Sequence, residues 1–143
     1  MPGKVSSVDL RWTGDMEFMA LTSTGHTLIL DAGIDFGGRN RGPRPIELLV
    51  VGLAGCTAMD VISFLKKMRQ DVVAYEVRLV GTRREEDPQI YTDITIEHVV
   101  TGTVDEDRLK KAIALSKDKY CTALAMMSPP ADVKITYKII KPE

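Results

Sequence analysis

The sequence has little of what usually announces a function. Two cysteines and two histidines are present in 143 residues. The cysteines, Cys56 and Cys121, lie far apart with no CxxC pair, so the spacing makes a poor zinc site. No sign of charge prevails: 19 basic residues against 20 acidic ones leave a net charge of −1, which gives no electrostatic footprint for nucleic acid or an anionic membrane. Residues 1–9 carry no apolar core, so nothing there reads as a signal peptide. The longest mainly apolar stretch, residues 46–59, is broken by Glu47, Gly52, Gly55 and Thr57 and is too short to span a bilayer. Repeats, linkers and low-complexity tracts are also missing. What remains is an ordinary globular composition, 44% apolar and 27% charged, expected to form one domain over residues 1–143. The default compartment is the cytosol, where a reactive cysteine pair is usually redox-active or metal-binding.

The hydrophobic periodicity is clearer. Residues 5–12, 16–21 and 26–31 alternate or run apolar between Gly-containing turns and read as an antiparallel meander. A loop rich in Gly and Arg follows, with Arg39, Arg41 and Arg44 close together. Pro45 is placed to open a helix that runs to about Arg69 and is apolar all round for its first four turns. Such a helix must be buried on every side, and a partner chain is the simplest cover. Lys66, Lys67 and Arg69 suit its C-terminal pole. Two alternating segments, 73–83 and 90–100, joined by a charged turn at 84–89, predict a hairpin. One of its faces carries Val73, Tyr75, Val77 and Leu79 on the first strand and Ile90, Ile94, Ile96 and His98 on the second. Thr103 or Asp105 then caps a second helix with Leu109, Ala112, Ile113 and Ser116 on one face. Cys121 begins a short apolar segment ending at Ser128-Pro129-Pro130, and residues 133–140 form a last strand. The order βββ-α-ββ-α-β mixes strands and helices without regular alternation, so the class is α+β.

Cys56 sits in the most apolar helix, flanked by Gly52 and Gly55. Each glycine costs a helix about 1 kcal/mol relative to Ala, which points to something approaching closely. Cys121 precedes a helix-like segment, where a helix N-terminus lowers a thiol pKa. Against these stand bland readings, in which both cysteines are small core residues and the arginines are a solvated loop. Asp60, one turn after Cys56, would raise that thiol's pKa unless paired with a cation. His26 and His98 fall in predicted strands and read as structural, and 126–130 reads as a core edge and turn.

The block from Pro45 to Asp60, with Gly55-Cys56-Thr57-Ala58-Met59-Asp60, resembles the central-helix motif of the OsmC/Ohr family of thiol-dependent hydroperoxide reductases. Lys119-Tyr120-Cys121 resembles the family's second-cysteine site, and the element order matches over nearly the whole chain. The Cys-Thr-x-Met-Asp form is most similar to the OsmC-like branch. The resemblance implies an intertwined homodimer with the long helix buried at its interface. It implies attack of a Cys56 thiolate on an organic hydroperoxide, resolution by Cys121, reduction by an external thiol or dithiol, and no metal or organic cofactor. It also implies an arginine that stabilises the thiolate and a glutamate that holds the arginine. Arg39, Arg41 and Arg44 all qualify, with Arg39 favoured because Gly37-Gly38 precedes it as a flexible stretch that could fold over the site. Glu47 is the nearest carboxylate. A separation of nine residues turns a helix by about 900°, so Glu47 faces away from Cys56 and would serve a partner subunit or act from a distorted first turn.

Three functions compete. The first is a cysteine peroxidase for apolar organic hydroperoxides. The second is a non-enzymatic dimer of the same fold binding a small apolar or acyl ligand at the same interface pocket, which Asp60 and the displaced glutamate favour. The third is a purely structural dimer with inert cysteines. The reactivity of Cys56 discriminates among them.

Overall fold

The structure is a computed structural model and describes residues 3–142. The chain divides into two compact units, Met1–Leu49 and Val50–Glu143. The elements are β1 (Val8–Gly14), β2 (Glu17–Thr22), β3 (Thr27–Leu30), α1 (Pro45–Lys67), β4 (Asp71–Arg83), β5 (Tyr91–Thr103), α2 (Glu106–Leu115), α3 (Thr122–Met127) and β6 (Asp132–Ile140). This is the α+β order read from the sequence.

In the N-terminal unit β1, β2 and β3 form an antiparallel meander, with Leu10 opposite Ala20 and Phe18 opposite Leu30. The first turn comes later than the pattern suggested: β1 continues through Gly14, and Asp15 takes the left-handed conformation at φ 48°. His26 lies just ahead of β3 in the second turn, where its Nδ1 is 3.1 Å from the Thr24 hydroxyl. The arginine loop is organised by Asp31, which is almost fully buried. Its carboxylate accepts the backbone N–H groups of Ala32, Arg39 and Arg41. Burial alone would raise its pKa, but these three donors, with help from the Arg39 charge, hold it below the usual carboxylate value. Gly38 sits in close contact with the backbone around it. A Cβ there would stand 2.1 Å from the Ala32 carbonyl oxygen, and its N–H donates to the Gly33 carbonyl at 3.0 Å.

Helix α1 begins with Pro45 in the first turn, and the Glu47 carboxylate reaches back to the Arg44 N–H at 2.9 Å, half of a capping box. It ends with Arg69 left-handed at φ 58° and the N–H groups of Arg69 and Gln70 closing on the Lys66 and Leu65 carbonyls. That is a Schellman closure made without glycine. Leu53, Thr57, Val61 and Leu65, each four residues on, form the buried stripe. Within one chain the helix is therefore not covered all round: Leu49, Val51 and Met59 are 54, 60 and 74% exposed. Nothing lies within 4 Å of a Cβ placed at Gly52 or Gly55, so the close approach inferred from those glycines does not occur within the chain. At 23 residues α1 is long and apolar enough, by length and composition alone, to cross a membrane, which corrects the reading of its apolar run as too short. Its buried stripe packs instead on the C-terminal sheet and on α2.

That sheet has the order β4–β5–β6, with β4 and β5 antiparallel and β5 and β6 parallel. The parallel pairing needs a long crossover, which α2 and α3 supply. Ile94, Ile96, His98 and Val100 alternate along β5 and are fully buried, while Ile90 lies just outside the strand. Val73 does not join its predicted face. A bulge between Val72 and Ala74 adds one residue to β4, so Val72 turns inward and Val73 is 66% exposed. Gly102 makes room for the bulge: at φ 146° a Cβ would meet the Asp71 carbonyl oxygen at 2.1 Å. Asp105, rather than Thr103, caps α2 by accepting the Arg108 N–H.

Candidate functional site

The site is built from three devices in the C-terminal unit: α1, the π turn after α2 and the start of α3. Cys56 stands one residue before the buried Thr57 on α1, partly buried against a core cluster that includes Leu53, Ile94, Ile96 and Leu124. Past α2 the helix widens into one π turn, Ser116–Tyr120, in which the Cys121 N–H donates to the Ser116 carbonyl at 2.8 Å. Such π turns recur at functional sites because they reposition side chains that a regular helix would misdirect. Cys121 leaves the turn in an extended conformation and caps α3, its sulfur accepting the Leu124 N–H at 3.4 Å.

These devices bring the two cysteines together. The Cys56 sulfur, the Cys121 sulfur and an Asp60 carboxylate oxygen all lie within 4.8 Å of one another. Asp60 follows Cys56 by four residues, so helical geometry sets both on one face. A hydrogen-bonded chain steadies the carboxylate. The Ser116 hydroxyl donates to Asp60 Oδ2 at 3.0 Å, and the Thr57 hydroxyl, 2.9 Å from Ser116 Oγ, supplies the proton that Ser116 cannot. Helical spacing sets Ser116 on the apolar face of α2 but assigns it no role. Its signal, together with that of Thr57, was a hydroxyl set where every neighbour is apolar, which requires a polar partner in the fold.

The Cys121 thiol is pushed up to about 11. Burial is the main cause, and the neighbouring Cys56 and the Asp60 charge push the same way. The Leu124 N–H at the helix start lowers it, as the sequence suggested, but is outweighed. Cys121 is thus held as a neutral thiol.

The arginines are engaged within the N-terminal unit. Arg39 pairs with Asp15 at 2.8 Å, Arg41 lies 3.5 Å from Glu17, and Arg44 donates to Asn40 and to the Gly42 carbonyl. Glu47 is occupied with the Arg44 backbone. The same unit holds a cavity of about 450 Å³ lined by Leu10, Met16, Phe18, Leu30, Phe36 and Arg44. His98 stands apart from the cysteines' hydrogen bonds: its Nδ1 is 2.7 Å from the Tyr75 hydroxyl, and its buried Nε2 has no hydrogen-bond partner among the described residues. Burial depresses its pKa to about 4, so the ring is neutral.

The model of the OsmC-like protein family matches residues 37–136, a span that holds both cysteines and Asp60. The chain belongs to the OsmC-like family. Escherichia coli protein YhfA is 33% identical over 132 residues, 92% of this chain and 96% of YhfA. Among solved structures, a hypothetical protein from Aquifex aeolicus is 36% identical with a TM-score of 0.87, covering 99% of this chain and all of that one. An organic hydroperoxide resistance protein OsmC from Legionella pneumophila shares the fold, with a TM-score of 0.72 at 13% identity over 96% of this chain and 99% of its own. The family includes hydroperoxide-reducing enzymes, and two nearby cysteines are consistent with redox function in this OsmC-like chain.

Proposed function

We propose that the chain is a thiol-dependent peroxidase that reduces organic hydroperoxides to alcohols, acting as a homodimer in the cytosol. The observation that carries this reading is the meeting of the Cys56 and Cys121 sulfurs within 4.8 Å, from which modest side-chain rotation reaches the roughly 2.05 Å of a disulfide bond. Cys56, the more exposed of the two, attacks the distal oxygen of the hydroperoxide as a thiolate. An S–O bond forms, the O–O bond breaks, and the departing alkoxide takes a proton to leave as the alcohol. Cys121 then attacks the Cys56 sulfenic acid. The S–S bond forms, and hydroxide leaves with the Cys121 proton as water. Two electrons from an external thiol or dithiol restore both thiols. A resolving cysteine held neutral until that step suits this order, because a second thiolate would repel the first.

Arg39 takes the part of the activating cation. Its present partnership with Asp15 is an exposed ion pair, worth at most about 1 kcal/mol, so exchanging it for a thiolate is inexpensive. Glu47, set opposite Cys56 by helix geometry, holds that arginine from the partner subunit. The dimer is supported by the apolar residues of α1 left open in one chain, Leu49, Val51 and Met59. The test is titration of the reduced protein with cumene hydroperoxide while free thiols are counted by mass spectrometry. Loss of both thiols per chain to a Cys56–Cys121 disulfide that a dithiol reverses is the expected result; thiols that survive excess peroxide would end the enzyme reading.

A second reading, a non-enzymatic dimer binding an apolar or acyl ligand, moves that ligand from the cysteine pocket to the cavity in the N-terminal unit. Its walls are mostly apolar, with Arg44 and Asp31 as the charged lining residues; the Asp31 carboxylate is already taken up by backbone N–H groups, which leaves Arg44 to receive a hydrocarbon chain ending in a carboxylate. It becomes the better account if the thiols prove inert.

A further inference from the structure

The sequence spacing makes a poor zinc site, since there is no CxxC and only two histidines are present. The fold supplies what the spacing lacks. Cys56 and Asp60 stand one turn apart on α1, the separation by which a single helix face presents two ligands to one ion. Cys121 adds a third from the far side of the π turn, and the three ligand atoms lie within 4.8 Å of one another. Tetrahedral zinc with Zn–S near 2.3 Å and Zn–O near 2.0 Å places its ligand atoms roughly 3.5 Å apart, so the three need to close by about an ångström. The surroundings are those of a prepared site. Asp60 already receives the Ser116 hydroxyl on one oxygen and Thr57 supports Ser116, an outer shell of the kind that orients metal-binding carboxylates. Cys121 is steadied by the Leu124 N–H.

We propose that the reduced protein binds one thiophilic divalent cation, Zn2+ by preference, through the Cys56 and Cys121 sulfurs and an Asp60 carboxylate oxygen. Two sulfurs exclude hard cations such as Mg2+ and Ca2+ as the natural occupants. Three protein ligands leave the fourth tetrahedral position for water or another small donor. Binding displaces the thiol protons, so affinity rises with pH. The bound ion and the disulfide are mutually exclusive, because each uses the same two sulfurs. A zinc-loaded chain is shielded from oxidation, and an oxidised chain cannot take up the ion.

The experiment is titration of the reduced, intact protein with Co2+ as a spectroscopic probe, followed by displacement with Zn2+, all without any hydroperoxide. Expected are a thiolate-to-cobalt charge-transfer band in the near ultraviolet and the strong visible bands of tetrahedral cobalt, both saturating at one equivalent per chain. Zinc should abolish both. Cys56→Ser and Cys121→Ser should each lose most of the charge-transfer intensity, Asp60→Asn should weaken affinity tenfold or more, and Ser116→Ala should weaken it about tenfold to a hundredfold. Wild-type protein that shows no charge-transfer band at stoichiometric cobalt overturns the proposal whatever the variants do. So does a band unchanged in Cys121→Ser, or an affinity unchanged in a folded Asp60→Asn. The outcome is independent of peroxidase activity, so an inert enzyme that binds cobalt and an active one that does not are both recognisable.

Discussion

In the meander of the N-terminal unit, Val8, Leu10, Trp12 and Leu21 are 60, 53, 63 and 43% exposed, and Ala20 is the buried apolar residue among the described strand positions. In the sheet of the C-terminal unit, Ile94, Ile96 and Val100 are fully buried beneath α1, α2 and α3. Both sheets have three strands and similar side chains. The difference is that the second carries its own helices, which close its apolar face within one chain, whereas the first leaves several large apolar residues exposed and most of the others only half-buried. Cys56, Asp60, Ser116 and Cys121 stand in the region that is self-sufficient, because a dithiol held at bonding range needs rigid elements on both sides. The arginines stand in the other, on a loop that Asp31 and glycine contacts hold in place.

The comparison is broken most directly by truncating a core residue. Leu53→Ala should cost about 2–5 kcal/mol by urea denaturation and should also loosen Cys56, which packs in the same cluster. A loss below 1 kcal/mol would mean that the C-terminal core is not what holds the site.

Acid probes the same core from its one buried imidazole. The folded pKa of His98, about 4, lies below the unfolded value near 6.5. The neutral ring is favoured by folding, so its full contribution is present above about pH 6.5 and is lost as pH falls toward 4. The loss is on the order of 3 kcal/mol. His98→Gln should flatten that part of the stability-against-pH curve; an unchanged slope would assign acid sensitivity to other groups.

A smaller effect tests the contribution of α2 to that core. Asp105→Ala removes its cap and should destabilise by about 1 kcal/mol, visible as a lower urea midpoint with the cysteine chemistry intact. The smallest effect belongs to the exposed sheet. Leu10→Ser should alter unfolding of a single chain by less than about 0.5 kcal/mol. If a second copy covers that face, sedimentation will report weaker self-association instead, and a large loss of monomer stability would show that the two sheets are not so different.

The elements were largely legible because each depends on a period that local sequence sets: alternation for β5 and β6, a continuous apolar stretch with a proline start for α1. The misreadings fell where one residue is inserted or a turn is displaced. Nothing in the string Val72-Val73-Ala74 says which valine is the extra one; the register against Thr101 and Gly102 decides it. The alternation of its neighbours predicts a strand at His26, but a hydrogen bond from its own N–H to the Thr22 hydroxyl holds it in the turn.

Of the site, sequence alone determined that Cys56 lies on an apolar helix with Asp60 one turn away, because helical spacing is a local property. It also carried the resemblance that named the family. Only the tertiary structure decided that Cys121 returns to meet them, through the parallel pairing of β5 with β6 and the π turn that ends α2. It alone decided that burial keeps Cys121 a thiol, and that Ser116 and Thr57 hold the Asp60 carboxylate. The physical reason is common to all three. Contacts between residues distant in the chain, and the desolvation that follows from them, are fixed by how the layers pack, which no local pattern encodes.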